Sequence, residues 1–306
     1  MSDSSQETQQ QEAGEFPVEF DREFYRKTYS DLQSMNDEAL EVHFYNHGID
    51  EGRHASAPAV REEFVKLFQN EKSILEIGPF SNPIASGPNV RYFDVLDQDE
   101  LKRRAEGLEE YYVPDNVPWI HYVSPTGDLS VVDGTYSAVV SAHCVEHQPD
   151  LINHFSKVSD LLADEGFYFL IVPDKRFCFD HFLCESSLAE ILEAHHQRHR
   201  VHTLRSLVEH RTMLSHNDGA RHWAGDHGTL LEPDIAALNA SNAIAEYEAA
   251  NGAYIDVHAW KFSPDSFRAR TAELAAMDLI NLRPIRVYQT VRPRLEFMAI
   301  LQKTQS

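Results

Sequence analysis

Ser73-Ile-Leu-Glu-Ile-Gly-Pro-Phe-Ser-Asn-Pro83 decides the reading of this chain. A short apolar run closes on Gly78, with Glu76 two residues before it. After a connection comes a second apolar run, Val90-Arg-Tyr-Phe-Asp94, which also ends in an acid. The order predicted is strand, tight turn, connection, strand, acid. Gly78 lacks a Cβ, so the backbone there can approach a ligand closely. An acid closing the second strand is placed to accept hydrogen bonds from a ribose diol. The ligand implied is of adenosine type. A dinucleotide fold needs G-x-G-x-x-G, so that a pyrophosphate can sit on a helix N-terminus. Here Phe80 and Ser81 occupy the places of further glycines, and no Gly-Lys-Ser/Thr phosphate loop occurs. A cofactor carrying adenosine and an amino acid, but no phosphate, fits better.

The run Leu75-Glu-Ile-Gly78 resembles the first motif of the S-adenosylmethionine-dependent methyltransferases with a Rossmann-like fold, of the type 11 kind. More of the chain agrees. Gln98 to Gly107 reads as a polar helix, and Trp119-Ile-His-Tyr-Val-Ser124 as a third strand. Gly127-Asp128-Leu129 resembles the family's loop beside the adenine. Tyr136-Ser-Ala-Val-Val-Ser-Ala-His-Cys-Val-Glu-His147 is a buried strand with a polar end, similar to the family's fourth-strand motif. Leu151 to Leu162 has apolar residues at helical spacing, closed by Asp164-Glu-Gly166. Phe167 to Pro173 is an apolar fifth strand, and Ser263-Pro264 starts a capped helix. Two last strands, Ile285 to Thr290 and Leu295 to Gln302, make a closing hairpin that the plain dinucleotide fold lacks. The features span roughly 230 residues in the family's order.

The resemblance implies an α/β protein. Its Rossmann-like sheet would be mostly parallel with an antiparallel last strand. A small N-terminal helical module and a helical insertion after strand five are added to it. It further implies S-adenosylmethionine at the carboxyl ends of strands one, two and four. Glu76, Gly78, Pro79 and Asn82 would line the methionine and ribose side, though Pro79 and Phe80 depart from the usual glycine-rich loop. Asp94 would hold the ribose hydroxyls, Asp128 and Leu129 would border the adenine, His143 would lie near the sulfonium, and His147 at the fourth strand's end is a further cofactor-binding candidate.

Composition sets the outer bounds. With 306 residues, 42% of them hydrophobic, the chain can bury an α/β core and a small extra module. No apolar run reaches membrane-spanning length. Met1 to Glu15 is rich in Ser, Gln and Glu, with neither the basic start nor the apolar centre of a signal peptide. It reads as a disordered tail over residues 1–16. Three scattered cysteines, Cys144, Cys178 and Cys184, suit a reducing cytoplasm rather than a disulfide framework. The formal net charge of −22 repels a phosphate backbone and argues against a nucleic-acid substrate.

Residues 17–58 read as a separate helical module ahead of a methyltransferase domain over 59–306. Phe20-Asp21, Tyr25, Tyr29, Asp31-Leu32 and His43 to Arg53 follow the pattern F-D-x-x-x-Y-x-x-x-Y-x-D-L … H-x-x-x-x-G-x-x-E-G-R. That pattern resembles a small module found beside bacterial glycan-assembly enzymes. It tilts the acceptor towards a sugar and names glycan-assembly enzymes as partners.

An insertion over about 176–260 holds most of the seventeen histidines. A hydroxyl acceptor needs a general base or a metal to ease its deprotonation, and His is tuned for the first role. The candidates are His227, His222, Asp226, His258 and His143, with His227 beside Asp226 favoured. The bland alternative is lid histidines satisfied by local hydrogen bonds. A divalent metal is a second option, with His195, His199 and His202 spaced as successive helical turns on one face. Lys175-Arg176 and Asp180 follow the family's P-D-x-R-x-x-F-D pattern, with Asp180 turned to the acceptor or else engaged in a loop salt bridge.

The expected function is methyl transfer from S-adenosylmethionine to a sugar hydroxyl in a glycan or glycoside. The rivals are a small natural product as acceptor, a nicotinamide-dependent enzyme, and a non-catalytic binding or scaffold protein.

Overall fold

The computed structural model describes residues 16–108 and 112–304, so the predicted tail lies outside the described residues except for Phe16. Seven strands form one sheet: β1 (Ile74–Ile77), β2 (Val90–Asp94), β3 (Tyr122–Val123), β4 (Tyr136–Ala142), β5 (Leu162–Pro173), β6 (Leu282–Val287) and β7 (Glu296–Lys303). Their order is β3-β2-β1-β4-β5-β7-β6. The first five pair in parallel, and β7 runs antiparallel to both β5 and β6. This is the predicted α/β class with its closing hairpin.

Two-residue alternation divides the core between the sheet's faces. Along β5, Phe167, Phe169 and Ile171 enter one cluster, while Tyr168, Leu170 and Val172 enter the other. The second face is covered by helices, among them α5 (Leu151–Leu161) and α10 (Pro264–Ala276). Asp150 caps the first by accepting from Asn153 N, and the second begins at the predicted cap, Ser263 before Pro264. The first face is covered by an N-terminal segment whose Phe64 and Phe68 are fully buried. That arrangement has a consequence for the site. Residues 78–89, between β1 and β2, contain no helix, because the segment before β1 covers the face on which a crossover helix would pack.

The third strand is shorter than the predicted Trp119–Ser124. Only Phe93↔Tyr122 and Asp94↔Val123 pair. Pro118 has no amide to donate, and the adjoining Trp119 side chain is 68% exposed at the sheet edge.

The N-terminal residues fold as α1 (Arg22–Thr28), α2 (Asp37–His43) and short helical turns around their own apolar cluster of Tyr25, Leu32, Leu40, Phe44 and Ala55. They are not simply appended. Phe16 packs edge-on against Phe167 and Phe169, at ring-centroid distances of 4.9 and 5.6 Å. Arg286 Nε donates to Pro17 O at 3.0 Å, and Tyr288 Oη donates to the same carbonyl at 2.7 Å. Phe16→Ala should therefore lower the stability of the whole chain by about 3 kcal/mol, the cost of an unfilled aromatic site. Urea unfolding followed by circular dichroism measures it.

The insertion adds α6 (Leu188–His196), α7 (Leu204–Met213), α8 (Gly219–Trp223) and α9 (Pro233–Ala250), while α3 (Arg61–Phe64) and α4 (Gln98–Glu106) flank β1 and β2 in sequence. Among the described residues, no helix is long and apolar enough to cross a membrane.

Candidate functional site

Strand order reverses at β1, whose neighbours are β2 and β4. Ligands of open α/β sheets bind beyond the strand carboxyl ends at such a point. A cavity of about 250 Å³ opens there, reached by Gly78 from β1, Asp94 from β2 and His143 from β4. A second cavity of about 330 Å³ lies between α6, α7 and residues 259–261, and no strand residue lines it. The smaller one is the one that lies at the strand tips.

Gly78 adopts φ +70°, turning the chain at the end of β1. A Cβ there would meet Cys144 Sγ at an ordinary 3.6 Å, so the dihedral angle rather than crowding calls for glycine. Glu76 does not line the cavity. Its buried carboxylate accepts from Ile84 N at 2.8 Å and Ala85 N at 2.9 Å, one amide per oxygen. Burial pushes its pKa up to about 8 against the pull of those amides. Glu76 thus pins the loop whose Phe80 lines the cavity; Pro79 and Asn82 of that loop do not line it.

Asp94 stands on the cavity wall with 6% exposure. Its Oδ1 accepts from Val95 N at 2.7 Å and Leu96 N at 3.4 Å. Burial raises its pKa to about 6, with backbone amides opposing. Phe80, Phe93, Leu101, Leu108, Tyr112 and Leu129 make the apolar part of the wall. The Phe80 and Tyr112 rings lie 5.2 Å apart. Asp128 is exposed and turned aside, its carboxylate accepting from Ser130 N at 3.0 Å, so Gly127 and Leu129 form that border instead.

The other end is polar. His143 holds φ +49°, unusual for a residue with a Cβ. Its Nε2 lies 2.6 Å from Glu296 Oε2. Glu296 also receives Arg61 Nε at 2.9 Å and Nη2 at 2.6 Å. Burial would raise the Glu296 pKa, but the hydrogen bonds from Arg61 and His143 prevail and hold it well below the usual carboxylate range. An ionised carboxylate only accepts, so Nε2 of His143 donates to it, and in the neutral ring the lone pair sits on Nδ1.

Nδ1 of His143 is 3.9 Å from Glu146 Oε1. That same oxygen lies 3.7 Å from His147 Nε2 and 3.8 Å from His258 Nε2. Glu146 is 1% exposed, and neither of its oxygens has a hydrogen-bond partner. Behind the rings stand two more acids. Asp180 Oδ2 is 2.6 Å from His258 Nδ1, and Asp256 Oδ1 is 3.1 Å from His147 Nδ1. Asp256 also pairs with Arg104 and accepts from Tyr254 Oη at 3.2 Å. Although burial acts the other way, His147 and Arg104 hold the Asp256 carboxyl well below its ordinary range. Burial likewise opposes a rise at His147, where Asp256 and Glu146 win. The end of the insertion thus closes on the strand-tip cavity.

The remaining sequence candidates lie elsewhere. Asp226 does not orient His227: its carboxylate pairs with Arg221 at 2.8 Å. His227 Nδ1 faces His222 Nδ1 at 3.1 Å, and its ring stacks on His181 at 3.9 Å. None of these residues lines the cavity. His195, His199 and His202 do not share a helix face, because α6 ends at His196 and Arg198 turns the chain at φ +55°. His195 faces Asp150, His199 faces Gln197, and His202 is buried with both ring nitrogens unpartnered. Asp174 takes the loop salt bridge to Arg176 at 2.7 Å, leaving Asp180 to His258.

The sequence reading passed over Glu146, Asp256, Arg104 and Glu296. Glu146 had a signal, an acid directly before His147 at the end of an apolar strand. Glu296 had none, being 153 positions from His143.

No family model and no curated protein matches the chain. Solved structures do resemble it. One is assigned as an O-methyltransferase from Nostoc punctiforme, with 13% identity and a TM-score of 0.37 over 79% of this chain and 55% of that one. Our chain thus spans about half the length of that protein. A second is an S-adenosylmethionine-dependent methyltransferase from Clostridium acetobutylicum, with 8% identity and a TM-score of 0.40 over 88% of this chain and 100% of that one. A third, from Rhodobacter sphaeroides, is assigned as a zinc-dependent alcohol dehydrogenase, with 11% identity and a TM-score of 0.41 over 88% and 97% of the two chains. At these scores the likenesses say nothing about the activity of this chain.

Proposed function

We propose that this chain is an S-adenosylmethionine-dependent O-methyltransferase acting on a sugar hydroxyl. One observation carries the cofactor assignment. The crevice at the strand tips places a buried acid, Asp94, beside an apolar slot, while the turn after β1 leads into no helix. A dinucleotide pyrophosphate would need that helix N-terminus, and Pro79 removes one amide from the turn as well. An adenosine without phosphates needs neither.

Gly78, Asp94 and Leu129 would hold the cofactor, with Phe80 and Tyr112 flanking the base. Bound there, S-adenosylmethionine would supply an electrophilic sulfonium methyl group to the acceptor oxygen. His143 Nδ1 is the base that takes the hydroxyl proton. Glu296 fixes its tautomer and stabilises the imidazolium that results. This dyad favours an oxygen acceptor, since oxygen is the nucleophile that most needs its proton removed. The sugar class rests on the likeness of the N-terminal module to those of glycan-assembly enzymes.

Calorimetry with S-adenosylhomocysteine, NAD and NADP tests the assignment. The first should bind and the other two should leave the baseline unchanged. Binding of NAD without S-adenosylhomocysteine would replace this reading with the nicotinamide one. Mass spectrometry of glycan fractions from cells with and without the protein should then reveal the acceptor as a methyl-sized mass difference.

A further inference from the structure

We propose that Glu146, His147 and His258 form a binding site for one divalent transition-metal ion beside the strand-tip cavity, whose wall His147 shares. Their ligand atoms lie within 4.8 Å of one another. Two imidazoles and one carboxylate are the donor set of catalytic zinc and of non-haem iron sites, which keep positions open. Three independent features point to an ion rather than to a chance cluster.

The first is Glu146 itself. A carboxylate with 1% exposure and no hydrogen bond to either oxygen is costly unless something of opposite charge meets it. The second is the outer shell. Ligating histidines commonly turn their other nitrogen to a carboxylate, which orients the ring and raises its basicity. His258 does so towards Asp180 at 2.6 Å. Asp256 stands 3.1 Å from His147 Nδ1 without the geometry of a hydrogen bond. Nε2 of both rings faces Glu146 Oε1, at 3.7 and 3.8 Å. The third is ring geometry. A metal lies in the plane of each imidazole it binds, and the His147 and His258 rings stand at 90° to each other, so their planes can meet at one ion. The other histidine group among the described residues, His181, His222 and His227, fails on this count. The His181 and His227 rings stack 3.9 Å apart at 8°, so no single point lies in both planes.

His143 and His147 line the cavity. An ion here would acidify a hydroxyl placed beside the His143 lone pair. That role rests on the methyl-transfer reading; the binding of the ion does not.

The test uses the full chain, stripped with a chelator and offered zinc, manganese or iron(II) in separate samples. After desalting, elemental analysis should find about one ion per chain for at least one metal. Glu146→Gln and His258→Ala should each abolish stoichiometric loading. Asp180→Asn should weaken it by about tenfold, because a neutral amide orients the ring less firmly. His222→Ala should load normally. Wild-type chain that retains none of the three metals overturns the proposal, whatever the variants do. So does loading that His222→Ala abolishes and Glu146→Gln leaves intact. S-adenosylhomocysteine calorimetry on the same stripped chain separates the two readings: if the ion binds and the nucleoside does not, only the methyl-transfer assignment falls.

Discussion

His143→Ala is expected to lower kcat by about 10²–10⁴-fold, the usual contribution of a positioned general base. S-adenosylhomocysteine affinity should change little, since the imidazole's work is on the acceptor. Glu296 is held ionised by Arg61 and by His143, so it accepts from Nε2 and leaves Nδ1 free to take a proton. His143 lines the cavity, and its Nδ1 is 3.9 Å from Glu146 Oε1. The left-handed φ of His143 is consistent with a side chain held for function, because a residue with a Cβ adopts it at a cost. Glu296→Gln separates positioning from proton transfer. The amide oxygen can still accept from Nε2, but the negative charge that stabilises the imidazolium is gone. Its kcat should fall between wild type and His143→Ala, with KM nearly unchanged. An His143→Ala enzyme turning over at the wild-type rate, measured as methyl transfer to the acceptor found by mass spectrometry, would remove His143 from the base role.

The two strands that bracket the site were legible because local chemistry dictates them. Apolar runs ending at Gly78 and Asp94 need no distant partner to be read, and β1 and β2 end within a residue of those positions. The capping pair Asp97 and Glu100 announces α4 in the same local way. What stayed hidden depends on tertiary contact. The helical spacing of His195, His199 and His202 is real in the sequence, yet Arg198 ends the periodicity, and no local pattern shows that a left-handed turn replaces another helical turn. Asp226 beside His227 looked like an oriented base, but Arg221, five positions earlier, competes for the carboxylate and wins. The cluster of Glu146, Asp180 and His258 joins residues up to 112 positions apart through the return of the insertion to the strand tips. Periodicity cannot report such a meeting, because the chain between obeys its own helical packing. Glu76 is instructive in another way. Its position next to the Gly78 turn suggested a ligand contact, whereas two amides of the loop that follows claim both of its oxygens.

Asp94→Ala should weaken S-adenosylhomocysteine binding by about 10²-fold or more. Two hydroxyl hydrogen bonds to a charged acceptor are each worth about 1.5–3 kcal/mol. Asp94→Asn should lose less, since one oxygen remains as an acceptor. The pH dependence gives the more demanding test. In the free chain burial raises the Asp94 pKa to about 6, so near pH 5 most molecules carry it protonated. Hydroxyl donors favour the charged form, which places the pKa lower in the complex than in the free chain. Binding therefore releases a proton below about pH 6, and affinity must rise with pH through that region. The dissociation constant should be flat above pH 7 and grow by up to about tenfold for each unit below 6. For the free chain the sign is opposite. A raised folded pKa contributes stability that is present at low pH and lost as pH climbs through about 6 for Asp94 and about 8 for Glu76. The ligand should thus shift the melting temperature more at pH 7 than at pH 5. His143 and His147 also line the cavity, so the variant decides between them and the acid. If Asp94→Asn keeps the full wild-type pH slope in calorimetry, the slope belongs to the histidines and Asp94 does not hold the ribose.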